Sequence, residues 1–285
     1  MTLISALLGI AVDRLWTHLH QYRHYHYFLQ YAEWVRERLP VSLHERLPGV
    51  LLVLLPLWLL TWWLQEWIDG WLFGLAGLLF YIVVFVYCLG PRDLAVDVDA
   101  FCDVCDSADG ELRKRAAAKL LHGGELPEDE EECLRRVTEA VLEDASDRLF
   151  AVLLWFVLLG PLGAVMYRST AVLYRHDGAR GAVAGLYSLL VWLPARLLAL
   201  SYALSGHFDA AMEGWREAHQ HHPQGVDGSA RVLALTGRGA LGSDAEPHAG
   251  DYPGAPVRAA MRLVWRALTV WLVAISVLTL AGWAS

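Results

Sequence analysis

The stretch that most limits what this chain can become runs from Glu143 to Tyr167, E-D-A-S-D-R-L-F-A-V-L-L-W-F-V-L-L-G-P-L-G-A-V-M-Y, with Arg168 after it. Three carboxylates, Glu143, Asp144 and Asp147, lead directly into an apolar segment that is broken at Gly160-Pro161-Leu162-Gly163. An apolar run of this length crosses a bilayer or lies inside a bundle that does. Proline removes a backbone donor and glycine admits a close helix neighbour, so the span is expected to be kinked or interrupted there. The rest of the composition agrees: 56% of the residues are hydrophobic, there are 13 Trp among 285 residues, and the mean hydropathy is +0.35. That is the composition of an integral membrane protein. The expected class is an all-α, polytopic helical membrane protein of about five to six membrane helices with a small helical cytoplasmic insertion.

The lipid bilayer is thus the first expected partner. Asp and Glu number 31 against 23 Lys and Arg, giving a net charge of -8, which predicts no general nucleic-acid affinity. Of the four Cys, Cys102, Cys105 and Cys133 share one charged segment expected to stay in a reducing compartment, so no disulfide framework is expected.

In chain order, residues 1–49 form an N-terminal helix and an interfacial segment. Met1 to Val12 is apolar but short and lacks a positive n-region, so it reads as a retained helix rather than a cleaved signal peptide. Leu15 to Leu47 mixes aromatic rings with Arg and His, a pattern suited to the membrane surface. His18, His20, His24 and His26 could gather on one helical face, yet no Cys or carboxylate completes a metal set, and they read as interfacial polar aromatics. Residues 50–90 read as a transmembrane hairpin with a Trp belt and Pro56 inside its first arm. Residues 91–148 read as a helical insertion: Leu94 to Cys105, Leu112 to Leu121 and Glu128 to Leu142 each alternate at helical spacing. Pro127 followed by five acidic residues is a helix start favoured by the positive dipole end. Cys102-x-x-Cys105 is an isolated pair in acidic surroundings, which disfavour a reactive thiolate, and it reads as a half-buried helix face.

Residues 149–204 are the central membrane segments, with Arg168 to Arg180 as a short polar connection and the second apolar stretch interrupted at Trp192-Leu193-Pro194-Ala195-Arg196. An arginine in such a stretch costs several kcal/mol unless it meets water, protein or ligand, so Arg196 is a functional candidate, or else snorkels or pairs with a carboxylate such as Glu143. Residues 205–263 are rich in Gly and Pro and read as a cytoplasmic loop region, with no phosphate-binding Gly-x-x-x-x-Gly-Lys loop; residues 264–285 read as the last span. His219, His221 and His222 fall on different faces of any helix and read as solvated loop residues. The segments 13–49, 91–148 and 205–263 carry eighteen Lys and Arg against three in 168–181, which assigns the large loops to the cytoplasm. Gly181 and Gly185, four apart near the start of a span, would permit the close helix contact of a homodimer.

The run from Glu143 to Arg168, followed by W-L-P-A-R-L and A-L-S-G-H-F-D-A-A-M-E-G-W, resembles the AmpE family, inner-membrane regulatory proteins associated with β-lactamase induction. That family is in turn similar to the CobD/CbiB cobalamin-pathway family, in which an ATP-dependent reaction joins an aminopropanol unit to a corrinoid carboxylate. The resemblance implies a site from Glu-Asn-x-x-Asp-Gly before the apolar span and an Asn before a Pro-Ala-Arg element. Here Glu143, Asp147 and Pro194-Ala195-Arg196 match, but Asp144 stands for the Asn, Arg148 for the Gly, Tyr187-Ser188 for an acidic pair and Val191 for the second Asn. A Ser-Pro-Asn loop is replaced by His222-Pro223-Gln224-Gly225. Carboxyl activation by ATP needs carboxylates for magnesium and cations for phosphates, and half of that acidic set is gone.

The resemblance with these departures implies a bacterial inner-membrane, multi-pass regulator or sensor, non-catalytic, reading a muropeptide-type ligand or a cytoplasmic signalling partner. The ligand-binding candidates are Glu143, Asp144, Asp147, Arg168, Arg196, His207, Trp215 and His219, and Glu143 and Asp147 are the weak metal candidates. An ATP-dependent amide-forming enzyme, using magnesium and ATP, is the alternative. A small-solute transporter is the third reading, although the chain is short and lacks an internal repeat.

Overall fold

A computed structural model describes residues 5–10, 25–40, 43, 46–69, 75–90, 94–105, 110–124, 126–177, 181–220, 225–245 and 254–281, and the regular elements among them are helices. They are α1 (His26–Arg36), α2 (Leu47–Asp69), α3 (Leu75–Cys88), α4 (Leu94–Cys105), α5 (Gly110–Leu120), α6 (Glu130–Ala145), α7 (Ala151–Leu159), α8 (Pro161–His176), α9 (Gly181–Ser205), α10 (Phe208–Gln220), α11 (Gly225–Leu241) and α12 (Ala255–Leu280). Residues 5–10 are also helical, a wide π-type turn covers Ser146–Phe150, and a 3-10 turn covers Gly242–Ala245. Among the described residues Leu47–Ile68, Gly181–Ser205 and Ala255–Leu280 are long and apolar enough to cross a membrane, and Ala76–Cys88 is a shorter apolar helix. The chain is a helical membrane protein. It divides into two compact units, one of residues 1–91, 151–191 and 275–285, the other of residues 92–150 and 192–274.

In the first unit α2 and α3 pack together as the expected hairpin, and α8 packs on α7, α2 and α3. Helix α2 continues through Pro56, which membrane helices tolerate when neighbours re-satisfy the freed carbonyl. Buried rings of Phe85 and Phe156 meet at 4.7 Å, and the indole of Trp58 donates to Ser169 Oγ at 3.0 Å. Ala32 and Val35 of α1 close over Val50, Val53 and Leu54 of α2. Arg36 holds Asp177 by donating from Nη1 and Nη2 to its two carboxylate oxygens.

The apolar run after Glu143 is interrupted, as its glycines and proline predict. Gly160 has φ of 67°, which favours glycine, and Pro161 opens α8 where its missing N–H is not needed. The expected polar connection from Arg168 to Arg180 needs correction: α8 stays helical to His176, and Arg168 is 2% exposed, donating from Nε to the carbonyl of Cys88. The expected interruption at Pro194 is also absent, since α9 runs unbroken through it.

In the second unit the sequence pattern places the insertion helices α4, α5 and α6 nearly as they stand. Asp129 caps α6 by accepting from the amide of Glu132 at 3.1 Å. Leu134, Val137, Val141, Leu142 and Ala145 bury one face of α6 at helical spacing, and α11 packs against it. Cys102 and Cys105 are buried. The larger correction concerns residues 205–263. The expected loop region is a helical hairpin, α10 and α11, followed by the start of α12. The two helices touch backbone to backbone: a Cβ at Gly214 would lie 2.3 Å from the Leu235 carbonyl oxygen, and one at Gly239 would lie 2.2 Å from that of Ala210. Close packing thus outweighs the low helix propensity of glycine. The expected His18, His20, His24, His221 and His222, and residues 1–4, 11 and 12 of the segment Met1 to Val12, lie outside the described residues.

Candidate functional site on the acidic end of helix α6

The last turns of α6 and the π-type turn after it bury Asp144, Asp147 and Arg148 and leave Glu143 partly buried. Five consecutive residues, Asp144 to Arg148, are buried. π-type turns of this sort frequently mark functional positions.

Arg148 is the centre of the arrangement. Its Nη2 donates to Asp144 Oδ2 at 2.7 Å and its Nη1 to Asp97 Oδ2 of α4 at 2.8 Å. Lys119 Nζ of α5 reaches the other oxygen of Asp97 at 3.0 Å, and His122 Nε2 reaches the other oxygen of Asp144 at 2.8 Å. Burial pushes the Asp97 carboxyl up, but the hydrogen bonds from Arg148 and Lys119 outweigh it and hold the group below its ordinary value. One turn back, Glu139 pairs with Arg238 of α11 at 3.2 Å and with Arg135 at 3.6 Å.

Glu143 stands apart from this network. No hydrogen bond or ion pair joins its side chain to another described residue. Burial, then the charges of Glu139 and Asp144, raise its carboxyl to about 7, with Asp227 adding to the effect and Arg136 opposing it. A carboxyl at that value exchanges protons near neutrality and can donate or accept a hydrogen bond.

The expected pairing of Arg196 with Glu143 is not found. Arg196 lies over the Trp192 ring at 4.5 Å and donates to the Trp192 carbonyl at 3.2 Å and to buried Ser229 Oγ at 3.4 Å. Arg168 belongs to the first unit, where it lines an apolar groove of about 590 Å³ with Tyr25, Tyr31 and Tyr87. His207 lies against Gly242 at the start of α10. Trp215 and His219 stack at 5.4 Å on α10, with His219 Nδ1 2.8 Å from the Trp215 carbonyl. The structure therefore brings Glu143, Asp144 and Asp147 together on one short stretch of chain, and links none of His207, Trp215 and His219 to them among the described residues. Sequence reasoning missed Arg148, Asp97 and Lys119 as members of the cluster. The spacing of Asp144 and Arg148, four residues apart, was the available signal.

This donor set does not fit magnesium. Both oxygens of Asp97 and both of Asp144 face protein cations or an imidazole, and no three His, Cys, Asp or Glu side chains among the described residues group as metal ligands.

Comparison with known proteins places the chain. The cobalamin biosynthesis protein CobD of Stutzerimonas stutzeri (strain A1501) is 33% identical over 230 residues, 73% of this chain and 74% of that protein. CobD of Chromobacterium violaceum is 34% identical over 164 residues, 54% of this chain and 51% of that protein. Protein AmpE of Shigella flexneri is 27% identical over 157 residues, 50% of this chain and 55% of that protein. No solved structure matches. The family model described as CobD/Cbib protein matches residues 6–235, and with the first of these relatives it establishes that the chain belongs to the CobD/CbiB family.

Proposed function

We propose that this chain is a non-catalytic regulator or sensor of AmpE type, a multi-pass protein of the bacterial inner membrane with its large polar segments in the cytoplasm. In this reading it modulates β-lactamase induction or peptidoglycan-recycling signalling by binding a muropeptide-type ligand or a cytoplasmic partner. The single observation that supports it most is the guanidinium of Arg148, which holds Asp97 and Asp144 together. An arginine in that place supplies from within the chain the positive charge that an ATP-using site would take from a metal ion. Glu143, close to neutrality in its titration, is left as the group able to read a ligand or a change of charge nearby.

The test is a pair of measurements on the detergent-purified chain. ATP hydrolysis with magnesium and a corrinoid should stay at background, and an anhydro-muropeptide should raise the melting temperature in a way that Glu143→Gln alters. A ligand at a hundred times its dissociation constant adds about 2.7 kcal/mol, which is easily measured. Turnover of ATP that Asp147→Asn abolishes would overturn the reading.

The second reading is an ATP-dependent amide-forming enzyme. It draws on the 33% identity to a protein named for cobalamin biosynthesis and on Glu143, whose carboxyl near 7 would suit proton transfer. Asp147-dependent turnover in the same assay would make it the leading one.

A further inference from the structure

Where α10 begins and α11 ends lies a polar cavity of about 260 Å³, lined by residues other than those of the Arg148 cluster. Its walls carry Ser205 at the last turn of α9, His207 just before α10, Asp244 in the 3-10 turn, and Arg262 and Arg266 one turn apart on α12. Both arginines are exposed, and neither has an ion-pair or hydrogen-bond partner among the described residues. The hydroxyl oxygen of Ser205 is buried and likewise has none.

The corner itself is built by main-chain contact. The amide of His207 donates to the Ala240 carbonyl at 2.8 Å, and a Cβ at Gly206 would lie 2.2 Å from that same oxygen. The C-terminal end of α9 and the N-terminal end of α10 meet here, so their backbone dipoles largely offset and the side chains set the field. Two guanidiniums and an imidazole face one carboxylate, Asp244, which leaves the cavity cationic. Guanidiniums four residues apart on one helix face offer two planar donor forks to a single group, an arrangement suited to the several oxygens of a phosphate. The cavity also lies at the C-terminal end of one membrane-length helix, α9, and beside the N-terminal half of another, α12, and phosphate is present on lipids as well as in solution.

We propose that this cavity binds a phosphate group, held by Arg262 and Arg266 with His207 beside them and the Ser205 hydroxyl as the buried donor. The group belongs either to a phospholipid headgroup or to a soluble phosphate compound. The test measures the melting temperature of the full chain in a neutral detergent against inorganic phosphate at fixed ionic strength, and separately against phosphatidic acid with phosphatidylcholine as the reference. A saturable rise is expected for wild type and for Lys114→Gln/Arg115→Gln, which removes the same charge from α5. Arg262→Gln/Arg266→Gln should weaken binding at least about tenfold. Asp244→Asn should tighten it, a gain that misfolding cannot imitate. A rise with inorganic phosphate supports a soluble ligand, and a rise with phosphatidic acid alone supports a lipid. No saturable rise with either probe, an equal rise in the Arg262→Gln/Arg266→Gln protein, or weaker binding by Asp244→Asn would overturn the proposal.

Discussion

Two charged regions of the second unit are built on opposite terms. Around Arg148 the charges are buried and each carboxylate oxygen of Asp97 and Asp144 has a partner. Around Arg262 and Arg266 the charges are exposed and unmatched among the described residues. The first arrangement holds helices α4, α5 and α6 in register, and changing it should alter folding. The second contributes little to the fold and is free to answer to something outside the chain. Burial of matched charge and exposure of unmatched charge are thus different uses of the same side chain.

The strongest way to break this contrast is Arg148→Met. It removes the buried cation shared by two buried carboxylates, leaving them only half-exposed Lys119 and His122, and should cost about 3–5 kcal/mol, read by denaturant or thermal unfolding in detergent. Restoring stability by adding Asp97→Asn and Asp144→Asn would show that the loss comes from uncompensated charge.

Glu143→Gln comes next and depends on pH. In the folded chain Glu143 keeps its proton up to about pH 7, whereas in the unfolded chain it releases it near the ordinary glutamate value. Between these values the folded state binds more protons, so this group makes stability fall as pH rises and the loss levels off above about 7. Glu143→Gln should therefore gain roughly 3 kcal/mol over wild type at pH 8 and almost nothing at pH near 4. Melting curves at the two pH values check it, and an equal change at both would contradict the assigned burial. Asp97 acts in the opposite sense: its carboxyl is held low, so its contribution is present at neutral pH and is lost on acidification.

A smaller loss is expected from Lys119→Met. Its ammonium is half exposed while Asp97 is buried, and Arg148 remains to serve that carboxylate, so about 1 kcal/mol is expected from unfolding curves. The least effect belongs to Arg262→Gln/Arg266→Gln. Without a phosphate probe its stability should lie within about 0.5 kcal/mol of wild type. A larger loss would mean that these arginines are structural after all.

Much of the architecture was legible because membrane helices and amphipathic helices write their periods openly. The α2–α3 hairpin, the three insertion helices, the cap before Glu130 and the break at Gly160 all follow from local pattern. The α10–α11 hairpin was hidden because Gly214, Gly237 and Gly239 lower helix propensity, and their close contacts exist only in the folded chain. A stripe of small residues, Ala211, Gly214 and Ala218, was the sign that could have been read. At the site, Glu143, Asp144 and Asp147 were named from sequence, whereas Arg148 was noticed only as a departure from a family pattern. Its partner Asp97 lies 51 residues away, a separation that no local spacing reveals. Arg196 was read as a functional candidate, or else as snorkelling or paired with a carboxylate, and it is found beside Ser229, since one short polar side chain and an indole face can hold a guanidinium at a membrane helix.

The glycine seam between α10 and α11 has one further consequence. Where side chains separate two helices, rotamers act as springs and the gap can widen or close by fractions of an ångström. Here main-chain oxygens of Ala210, Leu235 and Ala240 sit directly against α-carbons, so the gap has a hard stop and no spring. A corner machined in this way keeps His207 and the Ser205 hydroxyl at fixed stations whether or not anything fills the cavity between them, and drift in sequence along the seam is limited by size alone.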